Sequence, residues 1–270
     1  MTLKALLFDV DGTLADTERL GHRPAYNRAF KKLGLPFRWG PKLYRKLLSQ
    51  PGGQERLLHY LKRYRPELGE HADAAMADTQ AWVRSVHALK SRYFRRMVRR
   101  GSGPLRPGVA RLMREARAAN LRIGIVTSAS RATLKPLLRH SLGPELMKVI
   151  ELFVCGEDVQ HKKPEPDLYL TALAHMDLAA RDCMAIEDSA MGLAAATAAG
   201  IATVITTNDN TAHQEFERAL LVLDNLGEPG APVHVLQGML DAPCVTISAL
   251  RQLMQARAPA PVPLRFAAAP

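Results

Sequence analysis

The chain has 270 residues, of which 47% are hydrophobic, and its formal net charge at pH 7 is +11. This length and apolar content predict one or two globular domains with a sizeable core, and they exclude a disordered protein. No apolar run is long enough to cross a membrane, and the three cysteines lack the spacing of a disulfide framework or a metal site, which predicts a reducing, cytoplasmic location: Cys155, Cys183 and Cys244.

The first predicted element is a short apolar strand over residues 3–9, and we expect no signal peptide ahead of it. The strand leads directly into Asp9-Val10-Asp11-Gly12-Thr13. In open α/β sheets the functional site lies beyond the carboxyl ends of the strands, and two aspartates two residues apart point the same way. A simple turn explains an isolated Asp-x-Asp-Gly about equally well, so the assignment depends on the motifs that follow.

The segment of residues 16–103 is predicted to be helical throughout. Apolar residues recur at helical spacing in four stretches separated by glycine and proline: 24–33, 41–48, 54–64 and 73–98. The segment holds 20 lysines and arginines against 7 aspartates and glutamates, a net charge of +13, whereas the rest of the chain has a net charge of −2. This charge favours anionic ligands, nucleic acid or an acidic surface, although a single arginine usually lies on a solvated helix face.

Helices and strands alternate from residue 107 onwards. We predict strands at 121–126, 149–154, 183–186, 201–205 and 219–223, helices at 109–119, 131–139, 167–175 and 190–199, and irregular chain at 227–243. Repeated β-α units predict an α/β fold, a Rossmann-like parallel sheet with helices on both faces. We therefore expect a core of residues 1–14 and 104–255, an inserted helical cap of residues 15–103, and a flexible tail rich in alanine and proline at 256–270.

Three further polar motifs follow predicted strands of this core. Ser128 and Ala129 precede a helix start, where hydroxyl and free N–H groups bind phosphate well. Lys163 lies in a loop stiffened by two prolines, and Glu187 and Asp188 close the strand at 183–186. Each motif alone also fits a helix cap, a surface lysine or the acidic start of a helix. Their recurrence at successive strand ends, with the two N-terminal aspartates, favours one oxygen-rich site for Mg²⁺ and a phosphate.

In this order and spacing the four motifs resemble those of the haloacid dehalogenase superfamily, and the similarity extends over residues 3–205. The inserted segment is similar to the small α-helical cap of that superfamily. Its details look most like the branch of xylulose-1,5-bisphosphate phosphatases of Calvin-cycle organisms. The similar segments are Asp16-Thr17-Glu18-Arg19, His22-Arg23 with Asn27 and Phe30, Gly52-Gly53-Gln54-Glu55-Arg56, and His87 with Lys90 and Tyr93. Two positions depart from the pattern, because relatives often carry Glu and Lys where this chain has Asp16 and Gln54.

The resemblance implies a role for each motif. Asp9 would attack the phosphoryl group to form an aspartyl-phosphate, and Asp11 would protonate the leaving alkoxide and later deprotonate water. Glu187 would be a metal ligand or a partner of one. The implied catalytic residues are Asp9, Asp11 and Lys163; the implied Mg²⁺ ligands are Asp9, Asp11, Asp188 and Glu187; and the implied substrate contacts are Asp16, Gly53, Arg56, His87, Lys90, Ser128, Ala129 and Arg131.

Several functions share these motifs. We expect a Mg²⁺-dependent sugar-phosphate phosphatase, acting on a ketose bisphosphate such as xylulose-1,5-bisphosphate, whose second phosphate the basic cap would bind. A phosphomutase of the β-phosphoglucomutase kind and a phosphatase of monophosphates such as phosphoglycolate are the alternatives. A nucleic-acid-binding module is a further alternative, which the dispersed basic residues and the 6% content of aromatic residues disfavour. The expected partner is therefore a small sugar phosphate bound by a monomer, with neither nucleic acid nor membrane.

Overall fold

The computed structural model describes residues 2–256, and within this range one sheet of seven strands organises the chain. The strands are β1 (Ala5–Phe8), β2 (Arg122–Val126), β3 (Ile150–Val154), β4 (Cys183–Glu187), β5 (Ala202–Thr206), β6 (Leu221–Leu223) and β7 (Val235–Gln237). Their order across the sheet is β3-β2-β1-β4-β5-β6-β7. Every neighbouring pair is parallel except β6 and β7, which are antiparallel. The predicted α/β fold with a parallel sheet is thus confirmed.

Helices cover both faces of this sheet. They are α6 (Val109–Ala118), α7 (Arg131–Ser141), α8 (Gly143–Met147), α9 (Asp167–Met176), α10 (Ala190–Ala198) and α11 (Ile247–Ala256). Side chains alternate between the two faces of β1, so Leu6 and Phe8 join one hydrophobic cluster and Ala5 and Leu7 the other. Burial on both faces explains why the central strands are continuous apolar runs rather than alternating ones.

The inserted segment between β1 and β2 is helical, as predicted. After a π-helical turn at Glu18–His22, its helices are α1 (Arg23–Lys32), α2 (Pro41–Leu47), α3 (Gly53–Tyr64), α4 (Ala72–Ala77) and α5 (Thr79–Val98). These helices have their own aromatic cluster, which includes the buried Tyr26, Phe30 and Trp39. Phe94 and Met97 at the end of α5 instead join the cluster of the main core. The segment therefore has an independent core and is attached to the sheet through one end of α5.

The structure differs from the sequence prediction at several boundaries. The single helix predicted at 73–98 is two helices, because Asp78 has an extended backbone (φ −149°, ψ 90°) and caps α5 by accepting a hydrogen bond of 2.8 Å from the amide of Ala81. The region predicted as irregular contains β7, and α11 was not predicted. Of the tail expected at 256–270, Ala256 is the last residue of α11, and residues 257–270 lie outside the described residues.

Two linkers join the helical segment to the sheet, and they run side by side. Ala15 forms an isolated antiparallel bridge with Leu105, and the amide of Asp16 donates to the carbonyl of Pro104 at 3.1 Å. This pairing supports boundaries near residues 15 and 104, which stay predictions. Among residues 2–256, no helix combines the length and the apolar character that a membrane crossing requires.

Candidate active site

A cavity of about 360 Å³ lies between the carboxyl ends of the strands and the helical segment. It brings together ten of the residues predicted from the sequence: Asp9, Asp11, Gly53, Arg56, His87, Lys90, Ser128, Ala129, Lys163 and Asp188. Glu187 is fully buried behind this wall. Asp16 and Arg131 lie outside it, since Asp16 pairs with Arg19 at 2.8 Å and Arg131 with Asp158 at 2.6 Å. Their predicted contacts with substrate stay predictions.

Strand register explains why distant motifs converge here. In β1, Phe8 is paired with Ile125 of β2 on one side and with Ile186 of β4 on the other. The next residue, Asp9, donates its amide to the carbonyl of Ile186 at 3.0 Å. Parallel strands end at the same edge of a sheet, so the residues that follow β1, β2 and β4 necessarily meet.

Lys163 is the cation at the centre of the acidic wall. Its ammonium donates to Asp9 Oδ1 at 2.7 Å, to Glu187 Oε1 at 2.5 Å and to the carbonyl of Val126 at 2.8 Å. These three bonds use all the donors of an ammonium group. Burial opposes its charge, but the two carboxylates outweigh burial and hold the pKa of Lys163 above its ordinary value. Glu187 also accepts a bond of 2.7 Å from the hydroxyl of Tyr169, so its position is that of a partner for the lysine.

Three carboxylates cluster around this single lysine. Oxygen atoms of Asp9, Glu187 and Asp188 lie within 4.8 Å of one another, and all three side chains are buried. Burial, and then repulsion from Glu187 and Asp11, raises the pKa of Asp9 to about 7 despite the nearby Lys163. Burial and repulsion from Asp9 and Glu187 likewise raise the pKa of Asp188. Carboxylate oxygens with excess negative charge are the donor set that a hard divalent cation prefers, so these residues fit Mg²⁺.

Asp11 faces the helical segment rather than the acidic cluster. Its Oδ1 accepts hydrogen bonds from the hydroxyl of Thr17 at 2.6 Å and from Nε2 of His22 at 3.0 Å. Burial disfavours its charged form, but His22, Thr17 and Lys90 outweigh burial and keep the pKa of Asp11 below its ordinary value. The His22 ring is fixed in turn by Phe94, which stacks on it at 4.0 Å between ring centroids.

Lys90 lines the cavity and contacts a histidine of the helical segment. Its ammonium lies 2.7 Å from Nδ1 of His22, which leaves the ring proton on Nε2, the atom that faces Asp11. Burial, with the positive charge of Arg56, lowers the pKa of Lys90 to about 8, although Glu18 and Asp11 oppose the shift. In this arrangement Lys90 supports the partner of Asp11, and its grip on a distal phosphate stays a prediction.

Arg56 provides the second cationic end of the cavity. Its Nη1 donates to the hydroxyl of Tyr44 at 2.8 Å and lies 3.7 Å from Glu18 Oε1, and the Tyr44 hydroxyl donates to Glu18 at 2.5 Å. Arg56 Nε is buried and has no partner among the described residues. A buried donor without a partner is costly, so this nitrogen is the position of the guanidinium that an acceptor would relieve.

Gly53 and His87 form the wall beside Arg56. A methyl group on Gly53 would lie 2.3 Å from Nε2 of His87 and 2.8 Å from the hydroxyl of Tyr26, so only glycine allows this close approach. Burial, followed by the positive charges of Lys90 and other cavity residues, lowers the pKa of His87 to about 3. His87 is therefore neutral at neutral pH.

The predicted phosphate loop is present, with one difference. Ser128 and Ala129 line the cavity directly after β2, as expected. The amide of Ala129, which we expected to be free for phosphate, donates to the hydroxyl of Thr127 at 3.1 Å. Ser128 thus has the more direct geometry for a phosphate contact.

Sequence reasoning missed several contributors to the site. Tyr44, Asn208 and Arg106 were not singled out, and Thr17, Glu18 and His22 were noted only as similar to relatives. The spacing from Asp11 to Thr17 and His22 is a usable signal for a helical turn that faces back to the aspartate. The partners of Tyr44 and Asn208 are distant along the chain, so local pattern carries no signal for them.

Three comparisons place this site among known proteins. The family model for haloacid dehalogenase-like hydrolases matches residues 3–200. The plasmid protein CbbY of Cupriavidus necator is 44% identical over 231 residues, covering 86% of this chain and 89% of that protein. A crystal structure of a CbbY variant from Rhodobacter sphaeroides in complex with xylulose-1,5-bisphosphate is 34% identical with a TM-score of 0.76, covering 85% of this chain and 97% of the other. More distantly, β-phosphoglucomutase of Bacillus subtilis is 27% identical over 203 residues, 75% of this chain and 82% of that protein.

Proposed function

The chain belongs to the haloacid dehalogenase-like hydrolase family and is a phosphatase, and from this premise we propose that it hydrolyses a ketose bisphosphate, with xylulose-1,5-bisphosphate preferred. The reaction would use Mg²⁺ and an aspartyl-phosphate at Asp9. We also propose that the protein acts as a cytoplasmic monomer and that its substrate belongs to the Calvin cycle, in keeping with the CbbY name of its relatives.

One observation carries this proposal: the cavity has a cationic side chain at each of two separate places. Lys163 stands beside Asp9 at the acidic end, while Arg56 stands in the helical wall with a buried Nε that lacks a partner among the described residues. A monophosphate needs only the first end, because its single phosphoryl group is the reacting one. A bisphosphate would give the Arg56 guanidinium an acceptor for that buried Nε.

The residues of the chain account for both chemical steps. In the first, a carboxylate oxygen of Asp9 bonds to phosphorus, the bond from phosphorus to the sugar oxygen breaks, and that oxygen takes a proton from Asp11. The dianionic phosphate beside Asp11 raises its pKa for this step. In the second step, water attacks the phosphorus and gives its proton back to Asp11, and the bond to Asp9 breaks. Thr17 and His22 hold the Asp11 carboxylate in one orientation throughout.

Mg²⁺ would be held by the carboxylates of Asp9 and Asp188 and by the backbone carbonyl of Asp11. When bound, it supplies positive charge to the transferring phosphoryl oxygens. Glu187 would act through Lys163, because that ammonium already occupies its Oε1. Residues 15–103 would act as a cap that closes over the core of residues 1–14 and 104–255, with hinges at 15–16 and 101–103 and with the basic cap drawing in the anionic substrate.

The proposal predicts a selective effect of Arg56→Ala. Loss of a charge-assisted hydrogen bond costs on the order of 1.5–3 kcal/mol, so kcat/KM for xylulose-1,5-bisphosphate should fall roughly ten- to a hundredfold. The value for phosphoglycolate, which lacks a distal phosphate, should change much less. Phosphate release from both substrates measures this.

Two variants control this experiment. Arg56→Lys keeps the charge beside the partly buried Glu18, and Arg63→Ala removes an exposed arginine from the same helix, α3. Arg63→Ala should leave both substrates unaffected. Equal losses on both substrates would mean that Arg56 does not bind a distal phosphate. A wild-type preference for the monophosphate would replace the bisphosphatase proposal with a general phosphatase.

A phosphomutase is the second candidate, since β-phosphoglucomutase is among the similar proteins. The same assay separates the two functions. A phosphatase releases inorganic phosphate in proportion to turnover, whereas a mutase needs a bisphosphate activator and releases none. Salt-sensitive binding of DNA or RNA without phosphate release would instead favour the nucleic-acid-binding alternative.

A further inference from the structure

Arg106 is a half-buried arginine at the point where the chain returns from the helical segment to the sheet. It follows Leu105, which pairs with Ala15, and its own amide donates to the carbonyl of Leu14 at 2.9 Å. Its backbone is therefore tied to the loop after β1, which carries Asp11. Arg106 itself lies outside the cavity wall.

The Arg106 guanidinium joins three strand ends through backbone carbonyls. Nη1 donates to the carbonyl of Gly12 at 2.5 Å and to that of Thr206 at 2.8 Å. Nη2 donates to the carbonyl of Thr207 at 2.5 Å and to that of Asp224. Gly12 follows β1, Thr206 is the last residue of β5 and Thr207 follows it, and Asp224 follows β6. Within residues 2–256 the guanidinium forms no ion pair with a carboxylate, so its direct contacts hold backbone.

The carbonyl of Gly12 links this arginine to the acidic cluster. Asn208 donates through Nδ2 both to that carbonyl at 3.3 Å and to Asp188 Oδ2 at 2.6 Å. Gly12 has φ of +98°, and a methyl group there would lie 2.3 Å from Asp188 Oδ2. The backbone at Gly12 thus touches Asp188 directly, and glycine alone would leave this peptide several conformations. Its position must be fixed by a partner, and Arg106 provides the shortest contact to it.

We propose that Arg106 is a positioning residue, which holds the loop of Asp11 and Gly12 against the end of β5, where Asn208 bonds to Asp188, so that the oxygens of Asp9, Asp11 and Asp188 form one cation site. This inference rests on the proposed function, because the cation is the one that the phosphatase would use. The planar fork of arginine spans several carbonyls at once, whereas the ammonium of lysine is a compact point donor. Arg106→Lys should therefore keep the charge and lose the alignment.

Arg111 is the control, because it also donates to several backbone carbonyls away from the cavity, in addition to its ion pairs with Glu115 at 2.7 Å and Glu228 at 3.4 Å. Its guanidinium donates to the carbonyls of Leu226 at 3.0 Å, Gly227 at 2.9 Å and Val245 at 2.9 Å. Loss of Arg111 removes backbone contacts near the end of the chain without touching Gly12. The experiment compares three variants: Arg106→Lys, Arg106→Gln and Arg111→Gln. For each we measure the thermal midpoint, the binding of Mg²⁺ by calorimetry and the binding of Mn²⁺ by electron paramagnetic resonance. The kinetic constants kcat and KM are measured as well.

We expect both Arg106 variants to bind the metal about ten- to a hundredfold more weakly, the range for residues that position ligands. At saturating Mg²⁺, kcat should fall while KM for the bisphosphate stays within about threefold. Amide exchange at residues 10–14 of the metal-free protein should accelerate in Arg106→Lys. Arg111→Gln should lower the thermal midpoint and leave metal affinity and kcat unchanged.

The inference is overturned if Arg106→Lys binds metal and turns over as Arg111→Gln does, since Arg106 would then stabilise the fold only. If Arg106→Gln does not fold, the comparison depends on Arg106→Lys alone. Wild-type protein that neither binds Mg²⁺ nor releases phosphate would contradict the proposed function itself. If the wild-type protein binds Mg²⁺ and releases phosphate, and the Arg106 variants do so equally well, only the role of Arg106 is refuted.

Discussion

At the scale of single residues, Asp9 is only 7% exposed and bonds to Lys163, so its replacement by asparagine changes its charge and nucleophilicity more than its shape. We expect Asp9→Asn to lower kcat by at least about a thousandfold, since an amide oxygen is a poor nucleophile. Phosphate release at saturating substrate measures this. Asp209→Asn, at an aspartate whose side chain is 81% exposed, is the control and should be unaffected. Activity of Asp9→Asn within about tenfold of wild type would remove Asp9 from the mechanism.

We expect the imidazole of His87 to make the stability of the folded protein depend on pH. Its pKa is about 3 in the folded protein, mainly because it is buried, against an ordinary value near 6.5. Between these values the unfolded chain binds a proton that the folded protein does not, so stability falls as the pH is lowered. From pH 7 to pH 5 this single group removes about 2 kcal/mol.

Urea unfolding of His87→Gln at both pH values tests this prediction. The variant should lose about 2 kcal/mol less than wild type between pH 7 and pH 5. His140→Gln, at an exposed histidine, controls for a general effect of removing an imidazole. If wild type and His87→Gln lose the same stability, the imidazole of His87 is not held neutral by the cavity.

At the scale of elements, one ion pair connects helix α3 with the loop after β3. Lys162 Nζ lies 2.5 Å from Glu55 Oε1, and both residues line the cavity. Gly52 lies beneath this pair, where a methyl group would meet Glu55 at 2.2 Å and Lys162 at 3.0 Å. The pair therefore joins the helical segment to the loop that holds Lys163, and we expect it to favour the closed cap.

A charge-swap cycle measures that contribution. Glu55→Lys and Lys162→Glu should each lower kcat/KM, because like charges then face each other across the cavity mouth. The kcat/KM of the double variant should be about two- to fivefold higher than the value obtained by multiplying the two single effects. This is the range for partly exposed ion pairs. This coupling should shrink in 0.5 M salt. Strictly multiplicative effects at low salt would show that the pair contributes nothing to closure.

At the scale of the whole molecule, negative charge is concentrated inside the core although the chain is basic overall, with a net charge of +11. Three buried carboxylates cluster at the end of the sheet, and Lys163 bonds to two of them, Asp9 and Glu187. A divalent cation should relieve their repulsion and stabilise the fold by about 2.7 kcal/mol when present at a hundred times its dissociation constant. This predicts a rise of the thermal midpoint by several degrees on addition of Mg²⁺.

Chelation should abolish phosphate release, and added Mg²⁺ should restore it. Asp188→Asn is the matched variant, because it removes one carboxylate of the cluster, and the thermal midpoint of this variant should respond little to Mg²⁺. Activity that survives thorough chelation, or an equal thermal shift in Asp188→Asn, would contradict the cation site.

The architecture and the acidic end of the cavity were predictable from the order of residues along the chain. Apolar runs predicted six of the seven strands to within two residues at each end, and the edge strand β7 escaped because its exposed residues leave no such run. Because parallel strands end at one edge, Asp9, Lys163 and Asp188 were predicted to meet from their positions after strands alone. Each of these inferences uses only neighbours along the chain.

The contacts of individual side chains could not be predicted without the tertiary structure. Lys90 reaches His22 across 68 positions, Arg106 reaches Gly12 across 94, and Asn208 reaches Asp188 across 20. Helical periodicity places Lys90 on the inner face of α5, yet it cannot say whether a histidine or a phosphate faces it there. Arg131 likewise begins the predicted helix but pairs with Asp158 outside the cavity. Periodicity reports which face of an element is buried, whereas the partners on that face come from other elements, whose relative positions are set by the packing of the whole core.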